Sequence, residues 1–198
     1  MSFTVVRCDD VQPQPWKNGG GVTRELLVWP TPTDWLVRIS VADIEKDGPF
    51  SAFPGIKRTL CVLSGAGIWL DAPLNIELRP KDPPCTFPGD IVPHCELVRG
   101  PTRDLNAMFN EKAGVGRLQR WRTGYETKLK WVSFGLDDDP PTLFGVFTLA
   151  AATLRMREGS QREFALPPMS LAWTTAPIPD MQLHASPQAW AFHYTMLR

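Results

Sequence analysis

Apolar and polar residues alternate along most of this chain in short runs that stop at glycine, proline or charged turns. Period-two alternation sends successive side chains to opposite faces of a strand. The first half therefore predicts strands at residues 3–7, Val22–Trp29, Trp35–Ile44, Thr59–Leu63, Ile68–Leu70, Asn75–Leu78 and Gly100–Phe109. The second half predicts them near Tyr125–Phe134, Phe144–Met156, Gln161–Leu166, Ser170–Thr175, Met181–Ala185 and Trp190–Met196, with a hairpin turn at Glu158-Gly159-Ser160.

The same parity sorts side chains by face. Trp35, Val37, Ile39 and Val41 share one side of their strand, and Leu36, Arg38, Ser40 and Ala42 share the other. Arg58, Leu60 and Val62 lie together on the next long strand. Each strand thus ends a largely apolar face in an arginine, which is costly unless an acid, a water cluster or an anionic ligand meets it. Asp104, Asn106 and Met108 fall on one face of the Gly100–Phe109 strand, opposite Leu105, Ala107 and Phe109. An acid, an amide and a thioether in register suit a cavity wall, or else the wet face of an edge strand.

Composition narrows the class. Twenty prolines and fifteen glycines in 198 residues leave few stretches long enough for a helix of three turns, so the chain is expected to be all-β. A hydrophobic share of 43% and eight tryptophans are enough for a core. The polar stretch Asn110–Gln119 marks a boundary, giving halves at 1–112 and 113–198, the second read mainly as scaffold. Zero formal net charge and a pI near 6.8 offer no field for nucleic acid or an anionic membrane. The acidic run Asp137–Asp139 reads as a solvated turn. Cys8, Cys61, Cys85 and Cys95 form no Cys-x-x-Cys pair and are read as reduced. The amino terminus lacks a signal-peptide apolar core, and the longest apolar run, Leu143–Leu154, is too short to span a bilayer, so a cytoplasmic location is expected.

Two turn-rich stretches carry candidate chemistry. Trp16-Lys17-Asn18-Gly19-Gly20-Gly21 precedes a strand and lacks a Gly-Lys-Ser/Thr ending, so it reads as a mobile or bulged loop, or one that closes over a pocket, rather than a phosphate loop. The Arg38–Gly67 block has the frame of the first cupin motif, but Ser51, Phe53, Arg58 and Gly65 stand where metal-binding cupins keep two histidines, a glutamate and a glycine. Serine, phenylalanine and arginine cannot replace those ligands, and arginine repels a cation and attracts an anion. No metal or other cofactor is expected. Phe87-Pro88-Gly89-Asp90 is a turn of the kind found in the second cupin motif, and the nearby His94 stands without ligand partners in the sequence.

Three blocks in order, Trp16–Glu25, Arg38–Gly67 and Gly100–Met108, resemble the HutD/Ves family. The resemblance implies a bicupin, two jelly-roll-like β-barrels packed together in one chain. It also implies a link to bacterial histidine utilisation for HutD members and to a stress-associated protein for Ves members, with a regulatory role sensing a small acid. No established catalytic activity comes with it.

Three functions remain open. In the first, the N-terminal barrel binds a small anionic metabolite such as urocanate, formate or a formylglutamate-like acid. Arg58 anchors the carboxylate, Ser51 and Asn106 add hydrogen bonds, and Phe53 forms an apolar wall. Arg24 and Arg38 are further cations, one of them compensated by Glu25 or Asp104, and Lys17, Asn18, Ser40 and Met108 complete the expected ligand set. In the second, the protein is a metal-independent enzyme drawing on Glu25, Asp104, Lys17 or His94 for proton transfer. In the third, it is an interaction module anchored by Trp16 or Trp121. A homodimer is compatible with each.

Overall fold

The structure, a computed structural model, describes residues 2–121, 142–156, 163–176, 181–184 and 188–197. Its strands are β1 (Thr4–Arg7), β2 (Gln14–Pro15), β3 (Gly21–Pro30), β4 (Trp35–Ile44), β5 (Gly48–Pro49), β6 (Ile56–Ser64), β7 (Ile68–Leu70), β8 (Ile76–Leu78) and β9 (Cys85–Pro88). They continue as β10 (His94–Leu97), β11 (Thr102–Asn110), β12 (Gly114–Trp121), β13 (Leu143–Thr148), β14 (Ala152–Met156), β15 (Glu163–Leu166), β16 (Ser170–Thr174), β17 (Met181–His184) and β18 (Ala189–Met196). One 3₁₀ turn, Cys8–Asp10, interrupts them, and no α-helix occurs among the described residues. No helix there is long and apolar enough to cross a membrane. Cys8, Cys61, Cys85 and Cys95 are not joined in disulfides.

The chain forms two compact units, Val11–Gly116 and a second made of Met1–Asp10 with Arg117–Arg198. In Val11–Gly116, a six-stranded antiparallel sheet runs β2-β3-β4-β11-β6-β9, and a four-stranded sheet runs β5-β10-β7-β8. Ile44, Leu60, Val62 and Phe87 of the first meet Ile68, Leu70, Leu78 and Cys95 of the second in one core. Gly65 turns the chain out of β6 at a φ of +96°, and a Cβ there would stand 2.7 Å from the Pro101 carbonyl oxygen. Only glycine tolerates both conditions.

The other unit pairs a five-stranded sheet, β1-β16-β13-β18-β12, with a three-stranded one, β15-β14-β17. Phe144, Val146, Ala172 and Ala191 face Leu154, Leu166 and Leu183 across its core. The first strand belongs here: Thr4 pairs with Trp173, and Phe3 packs edge-on against Phe164 at 5.3 Å. Among the described residues, each unit is thus a pair of sheets that do not close into the expected barrels, with edges at β2, β9, β5 and β8 in one unit and at β1, β12, β15 and β17 in the other.

Long strands match the alternation closely, whereas short ones depart from it. β4 spans the predicted Trp35–Ile44, but the predicted Phe144–Met156 strand breaks at Leu149–Ala151 into β13 and β14, which join different sheets. β13 is buried throughout while β14 alternates around Thr153 and Arg155, but no glycine or proline at 149–151 marks the break between them. The polar Asn110–Gln119 stretch contains most of β12. Its Gly116 serves close packing, because a Cβ there would enter the Phe109 ring. Strands β2, β5 and β9 are short and end in proline, and β10 has only four residues, so none shows a period. The Tyr125–Phe134 strand, the Asp137–Asp139 run and the Glu158-Gly159-Ser160 turn lie outside the described residues.

Candidate functional site

Three rungs across the six-stranded sheet build one inward face. Arg38 on β4, Met108 on β11, Arg58 on β6 and Phe87 on β9 form the first, in register. Ser40, Asn106 and Leu60 form the second, and Ala42, Asp104 and Val62 the third. Leu60, Val62 and Phe87 lead into the core, and the polar members, with Ala42 and Met108, open on a cavity of about 520 Å³. The β2–β3 hairpin from Pro15 to Asn18 and the segment Pro49–Phe53 supply its remaining walls. Backbone hydrogen bonds from Trp16 to the Gly21 carbonyl and from Gly19 to the Trp16 carbonyl close the hairpin tightly. Trp16 Nε1 donates to Thr23 Oγ1 at 2.7 Å and the indole meets Phe50 edge-on, which seats the hairpin over the cavity.

Arg58 is 4% exposed, and its guanidinium is ringed by Phe50, Phe53 and Phe87 at 5.0, 5.6 and 5.2 Å from their centroids. One Nη donates to the Ser51 carbonyl at 3.3 Å, while Nε has no hydrogen-bond partner. Aromatic faces attract a cation yet satisfy none of its N–H groups directionally. Burial pulls this guanidinium down to about 10; the charge of Asp104 opposes the shift and that of Arg38 adds to it.

Asp104 is 2% exposed, and its Oδ1 is likewise unpartnered. Burial pushes its carboxyl up to about 7 against the pull of Arg58 and a backbone hydrogen bond from Ala42, with Asp43 adding to the rise. Arg58 and Asp104 influence each other through space without an ion-pair contact. The Asn106 amide oxygen, in a side chain 9% exposed, is also buried and unpartnered. Cys95, behind Asp104, has its thiol raised to about 12 by burial first and neighbouring acids second, which makes it a poor nucleophile.

Lys17, Asn18, Arg38, Ser40, Ser51, Phe53, Arg58, Asp104, Asn106 and Met108 all line the cavity. Lys17, Asn18 and Ser51 are exposed at its rim. Arg38 is half-buried, its Nε 2.7 Å from Glu25 and an Nη 3.8 Å from Met108 Sδ. Arg24 and Glu25 do not line the cavity. Arg24 pairs with Val41, on the opposite face of the sheet, and holds Asp43 at 2.6 Å. Arg103 reaches the same carboxylate at 2.5 Å and, with Arg24, holds Asp43 below the usual carboxylate range despite partial burial. Glu25 sits at a register shift of β3 before Leu27 and acts as counter-ion to Arg38.

Phe53 is the expected apolar wall, whereas Phe50 and Phe87, which complete the ring around Arg58, were not read from the sequence, although Phe50 shares the turn of Ser51 and Phe53. His94 is exposed and outside the cavity lining. Trp121, read as an interface anchor, is buried in the core of the second unit. No group of three or more potential metal ligands gathers among the described residues. The geometry offers two cations on one rung, aromatic rings around Arg58, and the buried acceptors Asn106 and Asp104 on the next two rungs.

Comparison with known proteins agrees with the sequence blocks. An uncharacterised 21.2 kDa protein in the hutC 3′ region of Pseudomonas putida is 36% identical over 132 residues, 61% of this chain and 64% of that protein. Protein Ves of Citrobacter koseri is 37% identical over 106 residues, 50% and 55% of the two chains. The matches thus span under two thirds of these relatives' length. Among solved structures, HutD from Pseudomonas fluorescens SBW25, determined in a formate condition, aligns over 100% of both chains with 26% identity and a TM-score of 0.78. The Ylba protein of E. coli, at 8% identity and a TM-score of 0.67 over 97% of this chain and 90% of its own, shares the fold alone. The HutD family model matches residues 8–191, and the chain belongs to the HutD family.

Proposed function

We propose that the Val11–Gly116 unit binds a small carboxylate metabolite without a metal and serves a regulatory role in histidine utilisation. The two units are read as cupin-like halves, with binding confined to the first. One observation carries the proposal: a buried guanidinium with an unpartnered Nε lines a cavity and forms no ion pair with a carboxylate among the described residues. A desolvated, incompletely hydrogen-bonded cation is costly, and a carboxylate supplies the bidentate acceptor that it lacks. Arg38 adds a second cation on the same rung. In the cupin frame, Arg58 occupies a metal-ligand position, so the local charge disfavours a cation. The hutC-region name of the P. putida relative supports the pathway.

Titration calorimetry with formate, urocanate and formylglutamate tests this. At least one of the three is expected to bind the wild-type protein, with the signal lost in Arg58→Ala. Silence from all three, or binding that survives Arg58→Ala, overturns the proposal.

A second reading rests on Asp104, a buried carboxyl near neutrality beside a cavity, as general acid–base catalysis requires. It predicts turnover of a bound acid by metal-stripped protein, abolished in Asp104→Asn.

A further inference from the structure

A carboxylate on Arg58 leaves a second set of buried atoms unexplained. Asp104 Oδ1 and Asn106 Oδ1 occupy successive inward positions of β11, line the same cavity and accept no hydrogen bond. An ionised carboxylate and an amide oxygen only accept. A simple anion brings more acceptors and satisfies neither. What these atoms lack is a donor.

Charge gives the same answer. Asp104 is compensated from a distance by Arg58, and an anion seated on Arg58 takes that compensation away. Around Asp104 stand Arg58 from β6, Asp43 from β4 and the thiol of Cys95 from β10, while Arg38 of β4 lines the same cavity two rungs away. None is positioned as a hydrogen-bond donor to its free oxygen. A ligand N–H is the group that keeps Asp104 ionised once Arg58 is occupied.

We propose that the cavity takes a bifunctional ligand, a small carboxylate that also carries an N–H donor, with the carboxylate on Arg58 and the N–H shared by Asp104 and Asn106. This rests on the carboxylate reading of Arg58 and makes Asp104 and Asn106 the specificity-determining residues. Asn106 stands one inward position along β11 from the rung of Arg58, and Asp104 two. Inward positions recur at about 7 Å, so donor and carboxylate are separated by a spacer of two or three carbons.

Succinamate and levulinate form a matched pair, alike except that the amide NH₂ of one is a methyl group in the other. By calorimetry at pH 8, succinamate is expected to bind at least tenfold more tightly, equivalent to about 1.4 kcal/mol. The ratio is expected to narrow towards pH 6 as Asp104 takes up a proton and ceases to be a pure acceptor. It should fall below threefold in Asp104→Asn and in Asn106→Leu, whose folding is checked by circular dichroism, and Arg58→Ala should lose both ligands. A wild-type ratio below threefold overturns the bifunctional ligand while leaving the carboxylate reading intact, provided that levulinate binding still depends on Arg58. A ratio that persists in both variants overturns the roles of Asp104 and Asn106. Failure of both compounds to bind overturns this inference, and the carboxylate reading falls only if formate, urocanate and formylglutamate fail as well.

Discussion

Asp104 and Arg58 show what a buried charge costs when its partner stands out of contact. The Asp104 carboxyl titrates at about 7 in the folded chain, against an ordinary value of 3.8. With the folded value raised, the native state holds a proton between pH 4 and 7 that the unfolded chain has released. Stability contributed by this group is therefore full below pH 4 and is lost as the pH climbs to 7. Asp104→Asn removes the penalty at little change in volume. Thermal denaturation should show the variant more stable than wild type at pH 8, by an amount on the order of a few kcal/mol, with the difference vanishing near pH 4. A variant that is less stable at pH 8 would mean that a bound group satisfies the carboxylate. Arg58→Met tests the partner. It removes a desolvated cation from among three phenylalanines, but leaves Asp104 without its balancing charge. We expect a loss of stability at pH 8 and little at pH 5, where Asp104 is protonated, measured by the same melts.

At the scale of the strand, parity decides which arginine does what. Arg24 stands between Thr23 and Glu25, and Arg38 between Val37 and Ile39. The register sends Arg24 to the Asp43 side and Arg38 to the cavity side. Arg24→Met should therefore leave carboxylate affinity within about twofold while costing roughly 1 kcal/mol of stability from a half-buried ion pair. Glu25→Gln should do the reverse. It strips Arg38 of its counter-ion, raises the positive potential in the cavity and tightens carboxylate binding by about threefold to tenfold, as calorimetry can measure. The contrast also marks what the sequence can reveal. Alternation along β4 and β11 placed Arg38, Ser40, Asp104, Asn106 and Met108 on inward faces because period-two geometry is local. The register shift at Glu25–Leu27, the pairing of Arg24 with Asp43 and the phenylalanines around Arg58 depend on neighbouring strands and turns. No local pattern encodes them. The same holds for β2, β5, β9 and β10, whose ladders come from their neighbours and not from their own propensity.

At the scale of the whole chain, the order of residues and the assignment to units part company at the very start. β1 adds to the edge of a sheet whose other strands all lie beyond residue 113, and Phe3 packs on Phe164. No periodicity in residues 3–7 announces this, because an edge strand is recognised by its partner's open ladder. Among the described residues, those that line the cavity lie between Pro15 and Met108, within the other unit. Deleting Ser2–Arg7 therefore separates stability from binding. The ladder from β1 to β16 and the Phe3–Phe164 contact are lost, so thermal unfolding should begin several degrees lower. Carboxylate affinity measured well below that temperature should stay within twofold of the full chain. A deletion that instead abolished binding in protein with unchanged circular dichroism would show that the cavity depends on the other unit, and the assignment of function to Val11–Gly116 alone would fail.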